Sequence, residues 1–223
     1  MDDFPDAAAR LIAVRTRIAA AARLADRDPA AVELIAVSKT FEVDAIAPFL
    51  DAGHRAFGEN RVQETAAKWP ALRSRYADVR LHLIGPLQSN KSADAVALFD
   101  VIHSVDRATL VTALARACTA QARAPDCYLQ VNIGNEPQKA GCSIAALPDL
   151  LAAAQDAGLR VAGLMAIPPV GIEPAPFFAL LGKLAARHGL SALSIGMSDD
   201  FETAVMLGAT AIRVGSALFG ARG

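Results

Sequence analysis

Apolar residues along this chain recur with two different periods, and the alternation between them predicts its elements. Leu11, Val14, Ile18, Ala21 and Leu24 are spaced for one face of a helix, among arginines, which predicts an amphipathic helix over 5–25 ending near Asp26-Arg27-Asp28-Pro29. Short apolar runs rich in β-branched residues then predict strands at 34–38, 56–58, 81–84, 101–104, 128–133, 161–165, 193–196 and 211–214. Alanine-rich or amphipathic segments between them predict helices at 43–52, 61–75, 90–98, 108–123, 145–157, 175–187 and 201–207. Strands that read as continuous apolar runs and alternate with helices belong to a parallel sheet covered by helices. Eight of them predict an α/β fold, a single-domain (β/α)8 TIM barrel over 1–223 with an extra N-terminal helix. Its eighth helix is expected to be a stub, because only 216–223 follow the last strand. An open, doubly wound sheet is the alternative, but no Gly-x-Gly-x-x-Gly follows the first strand to favour it.

Composition narrows the functional classes. A hydrophobic fraction of 53% over 223 residues is ample for a substantial core. The net charge of −1, with no block of lysine or arginine, removes the electrostatic basis for a nucleic-acid or membrane-surface protein and points to small-molecule partners. The acidic start Met1-Asp2-Asp3-Phe4-Pro5-Asp6 is unlike a signal peptide, and no apolar stretch approaches the roughly 20 residues needed to cross a bilayer, so a cytoplasmic protein is expected. Cys118, Cys127 and Cys142 are odd in number and lack metal-ligand spacing, which predicts reduced, packed thiols and no metal site.

The chemistry concentrates at the predicted strand ends, where a barrel places its site. Lys39 closes the first run, in a chain with five lysines against seventeen arginines. A lysine kept where arginine is otherwise used hints at amine chemistry, the bland reading being a side chain that snorkels to water. After strands seven and eight, Ser198 and the Gly215-Ser216 turn offer the hydroxyls and free N–H donors that a phosphate needs. Asp199 with Glu202 forms a capping-box-like start for the next helix. Arg213 lies inward on an apolar strand, and a buried guanidinium calls for a carboxylate or a ligand. Amine, phosphate cradle and inward arginine together describe a pyridoxal phosphate site, in which arginine at the ring nitrogen gives a weaker electron sink than aspartate would.

Those motifs resemble the pyridoxal phosphate homeostasis proteins (the YggS/PROSC family), related in fold to the N-terminal barrel of alanine racemase, fold type III of pyridoxal phosphate proteins. The carriers are Ala36-Val37-Ser38-Lys39-Thr40, Phe57-Gly58-Glu59-Asn60-Arg61-Val62-Gln63-Glu64, His82-Leu83-Ile84-Gly85-Pro86-Leu87-Gln88-Ser89-Asn90-Lys91, Gly163-Leu164-Met165, Gly196-Met197-Ser198-Asp199-Asp200-Phe201-Glu202, and a closing run from Ile212 to Arg222. The resemblance implies pyridoxal 5′-phosphate held as a Schiff base on Lys39, Arg213 at the ring nitrogen, Ser198, Gly215 and Ser216 around the phosphate, and Asn60 and Met197 as neighbours. His82 matches the motif either as a ligand contact or as a satisfied core histidine. Gln88, Asn90 and Lys91 would organise the third loop, and Glu59 and Arg61 have a local salt bridge as their bland reading. Phe41 and Arg61 stand where relatives often carry lysine and tyrosine, Ser216 where many carry threonine, and Lys139 matches a lysine of the family.

The resemblance implies a monomeric carrier that buffers the cofactor or delivers it to pyridoxal phosphate-dependent apo-enzymes. A racemase is the alternative, but it needs a second acid/base on the opposite face, and neither Tyr76 nor Tyr128 sits in a recognisable motif for it. A barrel enzyme acting on a phosphorylated metabolite without this cofactor is a third reading.

Overall fold

A computed structural model describes residues 7–220. Pro5 and Asp6 of the predicted first helix, and Ala221 and Arg222 of the closing run, lie outside the described residues. All eight predicted strands form: β1 Glu33–Val37, β2 Ala56–Glu59, β3 Arg80–Leu83, β4 Val101–Val105, β5 Asp126–Gln130, β6 Arg160–Met165, β7 Ala192–Ser194 and β8 Ala211–Val214. They are parallel and hydrogen-bonded in sequence order, and β8 returns to β1 with Ile35 opposite Arg213, so the sheet closes into a TIM barrel. The helices are α1 Ala7–Leu24, α2 Val43–Asp51, α3 Val62–Arg75, α4 Ser92–Leu98, α5 Ala108–Gln121, α6 Leu147–Asp156, α7 Ala175–Arg187, α8 Phe201–Met206 and α9 Ser216–Phe219.

Side chains alternate across each strand, so one set faces the helices and the other the barrel interior. On β1, Leu34 and Ala36 join the main core beneath the helices, while Ile35 clusters with Ala56 and Ala211 inside. The expected stub is real: α9 has four residues, too few to cover the seam where β8 meets β1. Helix α1 fills that place. It packs against α2, α8 and α9 through Leu11, Val14, Ile18, Ala21 and Ala22, the face its periodicity predicts. None of the described helices is long and apolar enough to cross a membrane. Cys127 and Cys142 are buried free thiols, pushed up to about 12 and about 11 chiefly by burial, consistent with packing.

The barrel interior is unexpectedly polar. His82 on β3, His103 on β4 and Ser194 on β7 are fully buried there, and the His103 ring stacks on Tyr128 with centroids 4.5 Å apart. Burial first, and the charge of nearby Arg80 second, push the His82 imidazole down to about 3. His103 is held well below its ordinary value by burial and then by His82, Arg213 and Arg80.

Both imidazoles are therefore neutral in the native barrel. Below pH about 6.5 the unfolded chain takes up protons that the native chain refuses, so each histidine removes about 1.4 kcal/mol of stability per pH unit until its folded pKa is reached. The urea midpoint is expected to fall steadily from about pH 7 to pH 5, and to fall less steeply in His82→Phe. A flat profile in the unaltered protein would contradict the neutral, buried assignment.

Candidate functional site

A cavity of about 660 Å³ opens at the C-terminal ends of the strands, the end where a barrel does its chemistry. Lys39, Asn60, Met197, Ser198, Arg213, Gly215 and Ser216 all line it. Eight residues were expected at a ligand, and His82 is the one that the cavity does not reach. It sits below, fully buried, with Nδ1 3.0 Å from His103 Nε2. The loop residues Gln88, Asn90 and Lys91 are also off the cavity wall, in keeping with a role in organising the third loop.

Lys39 follows β1 in a tight turn. Ser38 N–H continues the ladder to the Gly58 carbonyl, and Phe41 N–H closes back on the Ser38 carbonyl. Inside that turn Thr40 has φ +67°, a left-handed conformation that is unfavourable for a β-branched residue and persists only where its surroundings hold it. Helix α3 does the holding. Lys68 Nζ donates to the Ser38 and Phe41 carbonyls, each at 3.0 Å, and Glu64 Oε1 accepts from Thr40 N–H at 2.7 Å. Lys68 is itself paired with Glu59 at 2.8 Å, with both side chains buried. Glu59 also accepts from the Ser38 hydroxyl at 2.6 Å and from the Trp69 indole at 3.0 Å. The local salt bridge open to Glu59 in the sequence is thus present, and its partner is Lys68. On the other side of the turn, Phe41 stacks on Phe219 of α9 at 4.7 Å, which ties Lys39 to the segment carrying Ser216.

The adjoining wall is built by the loops after β7 and β8. Gly196, at φ +92°, turns the chain where an added Cβ would meet Ala204 Cβ at 2.6 Å. Ser198 Oγ accepts from Gly215 N–H at 3.2 Å, so the two loops are joined. Gly215 precedes α9, in which the Leu218 and Phe219 N–H groups both return to the Gly215 carbonyl, at 2.9 and 2.8 Å. The capping expectation needs one correction. The residue at the N-terminus of α8 is Asp200, whose Oδ1 accepts from Met197 N–H at 2.6 Å, whereas Asp199 lines the cavity and Glu202 reaches Arg17 on α1 at 2.6 Å. A one-residue shift in where the helix begins moves the two aspartates between these positions.

Arg213 forms the floor. It is 5% exposed, and its guanidinium donates to the Ser194 carbonyl at 2.7 Å, the Ser194 hydroxyl at 2.6 Å and the Ala166 carbonyl at 3.1 Å. Those acceptors are neutral, so the charge is solvated by dipoles without a bonded carboxylate. Burial pushes its pKa down to about 10, with Asp200 opposing, which leaves it cationic near neutral pH. At the mouth, Lys139 donates to the Pro168 carbonyl at 2.9 Å and pairs with Glu136 at 2.6 Å. The arrangement suits a small anion that carries a group reactive toward an amine and an acceptor for a buried guanidinium.

Sequence reasoning passed over Lys68, Glu64, His103 and Ser194. Glu64 and Lys68 have the spacing of an ordinary surface pair on a helix, and only a solitary polar residue within an apolar strand run could have flagged His103 and Ser194.

Comparison with known proteins shows the family and the fold. Residues 10–223 match the family described as "Alanine racemase, N-terminal domain". The chain is 40% identical to the pyridoxal phosphate homeostasis protein of Escherichia coli K12 over 97% of both chains, and 43% identical to that of Pseudomonas aeruginosa over 94% of this chain and 93% of the relative. Among solved structures, PipY of Synechococcus elongatus with PLP bound is 41% identical, covers 93% of this chain and 100% of its own, and gives a TM-score of 0.78. The alanine racemase of Clostridium difficile, at 11% identity and a TM-score of 0.72, shares the fold, and the match takes in 57% of its length.

The buried Lys68–Glu59 pair generates a stability prediction. Lys68→Met leaves the Glu59 carboxylate buried and unpaired, a loss of about 3–5 kcal/mol. The double variant Glu59→Gln/Lys68→Met is expected to recover part of that loss. Chemical denaturation of both checks it; equal stability of Lys68→Met and the unaltered protein would contradict the pairing.

Proposed function

Since the chain belongs to the family of pyridoxal phosphate homeostasis proteins, we propose that it binds pyridoxal 5′-phosphate in the cavity above Arg213 and buffers or delivers it. The observation that carries this reading is the buried Arg213 cation, bonded to neutral oxygens beneath a cavity lined by Lys39, Ser198 and Ser216. When bound, the cofactor supplies an aldehyde, a phosphate and a pyridine ring. Lys39 carries the amine for covalent attachment, and the turn clamped by Lys68 and Glu64 fixes where that amine starts from. The hydroxyls of Ser198 and Ser216, with the backbone around Gly215 and Ser216, would be the donors for the phosphate. Arg213 cannot surrender its proton, so it would donate to a ring nitrogen above it and favour that nitrogen unprotonated. Asn60 and Met197 would flank the ring, and His82 would act from beneath through the barrel interior.

Holding, without turnover, is the better account of these residues. Racemisation needs a second proton donor and acceptor across the ring from the lysine. The two tyrosines of the chain are elsewhere: Tyr76 bonds Asp51 on the surface, and Tyr128 is stacked on His103 in the interior. The proposed protein is a single-domain, cytoplasmic monomer that passes its cofactor to pyridoxal phosphate-dependent apo-enzymes.

Protein incubated with pyridoxal phosphate is expected to turn yellow, and borohydride reduction followed by peptide mass spectrometry is expected to place a pyridoxyl group on the Lys39 peptide. Lys39→Ala should fold, lose the colour and fail to transfer cofactor to an apo-enzyme. Protein that stays colourless sinks the cofactor reading. Circular dichroism of L- and D-amino acids incubated with the loaded protein should remain unchanged, and sustained, Lys39-dependent racemisation would replace the carrier with an enzyme.

A further inference from the structure

Between the floor of the barrel and Arg213 runs a line of side chains that no role above fully uses. Glu33, the first residue of β1, pairs with Arg80 at 3.2 Å, and its Oε1 lies 3.7 Å from His82 Nε2. His82 Nδ1 is 3.0 Å from His103 Nε2, and His103 Nδ1 is 2.8 Å from Ser194 Oγ. That same oxygen accepts from Arg213 Nη1 at 2.6 Å. Strands β1, β3, β4 and β7 together with β8 thus contribute one contiguous path from the N-terminal end of the barrel to the guanidinium.

The path has a direction. Arg213 can only donate, so Ser194 Oγ accepts a hydrogen bond from that side and its own hydroxyl donates to His103 Nδ1. A neutral His103 then carries its proton on Nε2 and donates to His82 Nδ1. Neutral His82 in turn carries its proton on Nε2, which has no bonded partner and faces the Glu33 carboxylate. Reversed, the hydroxyl proton of Ser194 would lose its acceptor and His82 would aim a lone pair at that carboxylate. Stacking on Tyr128, with ring planes 6° apart, keeps His103 from turning away.

We propose that His82, His103 and Ser194 form a one-directional hydrogen-bond wire that positions the Arg213 guanidinium, with its polarity set from the barrel floor by Glu33. The wire stands on the geometry of the protein alone; its consequence for a ligand rests on the pyridoxal phosphate reading of the cavity. Ser194 is the hinge between the two, because it satisfies Arg213 with one side of its oxygen and commits the histidine pair with its proton. These three are positioning residues, and none of them lines the cavity. The charged and titratable groups around the path are consistent with neutral imidazoles: Arg80 and His54 act on His82, Arg213 and Arg80 act on His103, and Arg80 and Asp126 act on Glu33.

The test begins with the protein free of cofactor. Nitrogen-15 NMR at about pH 7 is expected to show His82 and His103 both as neutral Nε2–H tautomers. In Ser194→Ala, His103 should lose that fixed tautomer and populate Nδ1–H. An Nδ1–H tautomer of either histidine in the unaltered protein would overturn the wire, whatever the cavity binds. In protein loaded with pyridoxal phosphate, Ser194→Ala should shift the visible absorption band and release cofactor about tenfold faster, while Lys39 is still trapped by borohydride. Unchanged release and an unchanged band would overturn the positioning role. If the unaltered protein takes up no pyridoxal phosphate, the reading of the cavity fails and the tautomers alone decide the wire.

Discussion

One positive charge has to be kept inside a closed barrel without a carboxylate bonded to it, and much of the structure answers to that requirement. An isolated buried guanidinium is costly, and pairing it with an acid is the usual relief. Here the relief comes from dipoles: two backbone carbonyls and the Ser194 hydroxyl. Such an arrangement leaves the charge electrostatically unspent. A carboxylate partner would neutralise it, whereas oriented neutral groups hold it in place and leave its field directed at the cavity above. The polar interior follows from the same need, since Ser194 is anchored by His103 and His103 by His82.

Barrel closure brings the remaining parts to that charge. Because β8 pairs with β1, Arg213 lies opposite Ile35, and the two chain segments that follow these strands carry Lys39 and Gly215-Ser216 to neighbouring edges of one cavity. The Phe41–Phe219 stack joins these segments directly. Lys39 could not be set by the strand alone, because it lies two residues beyond the end of β1, past the regular ladder. Helix α3 supplies the missing constraint through Glu64 and buried Lys68, the latter anchored by Glu59 at the end of β2, and together they hold a left-handed threonine in a fixed turn. Short α9 leaves room near the cavity, and α1 restores the cover that a full eighth helix would give.

Much of this was legible in the sequence, for a physical reason. Parallel strands are apolar on both faces, so each stands out as a short run, and a lysine, serine or arginine at the end of such a run is conspicuous. Contacts between strands are another matter. His82 pairs with a histidine on β4 because the register sets His82 opposite Val101, and a slip of one residue would have turned His103 toward the helices. No local pattern encodes that register. Lys68 has the spacing of a solvated helical pair with Glu64, and only the packing of α3 on β1 and β2 turns it inward. The Asp199 and Asp200 positions differ from expectation by one residue, the usual margin at a helix start.

The central claim is that a buried guanidinium with no bonded carboxylate is retained to hold a ring acceptor, and Arg213→Gln tests it most directly. Pyridoxal phosphate titrated into the unaltered protein and into Arg213→Gln, followed by visible absorbance, gives the two affinities. The account predicts binding weakened by about 30-fold to 100-fold in the variant, the worth of one hydrogen bond to a charged group, with Lys39 still modified on borohydride reduction. Equal affinities would contradict it.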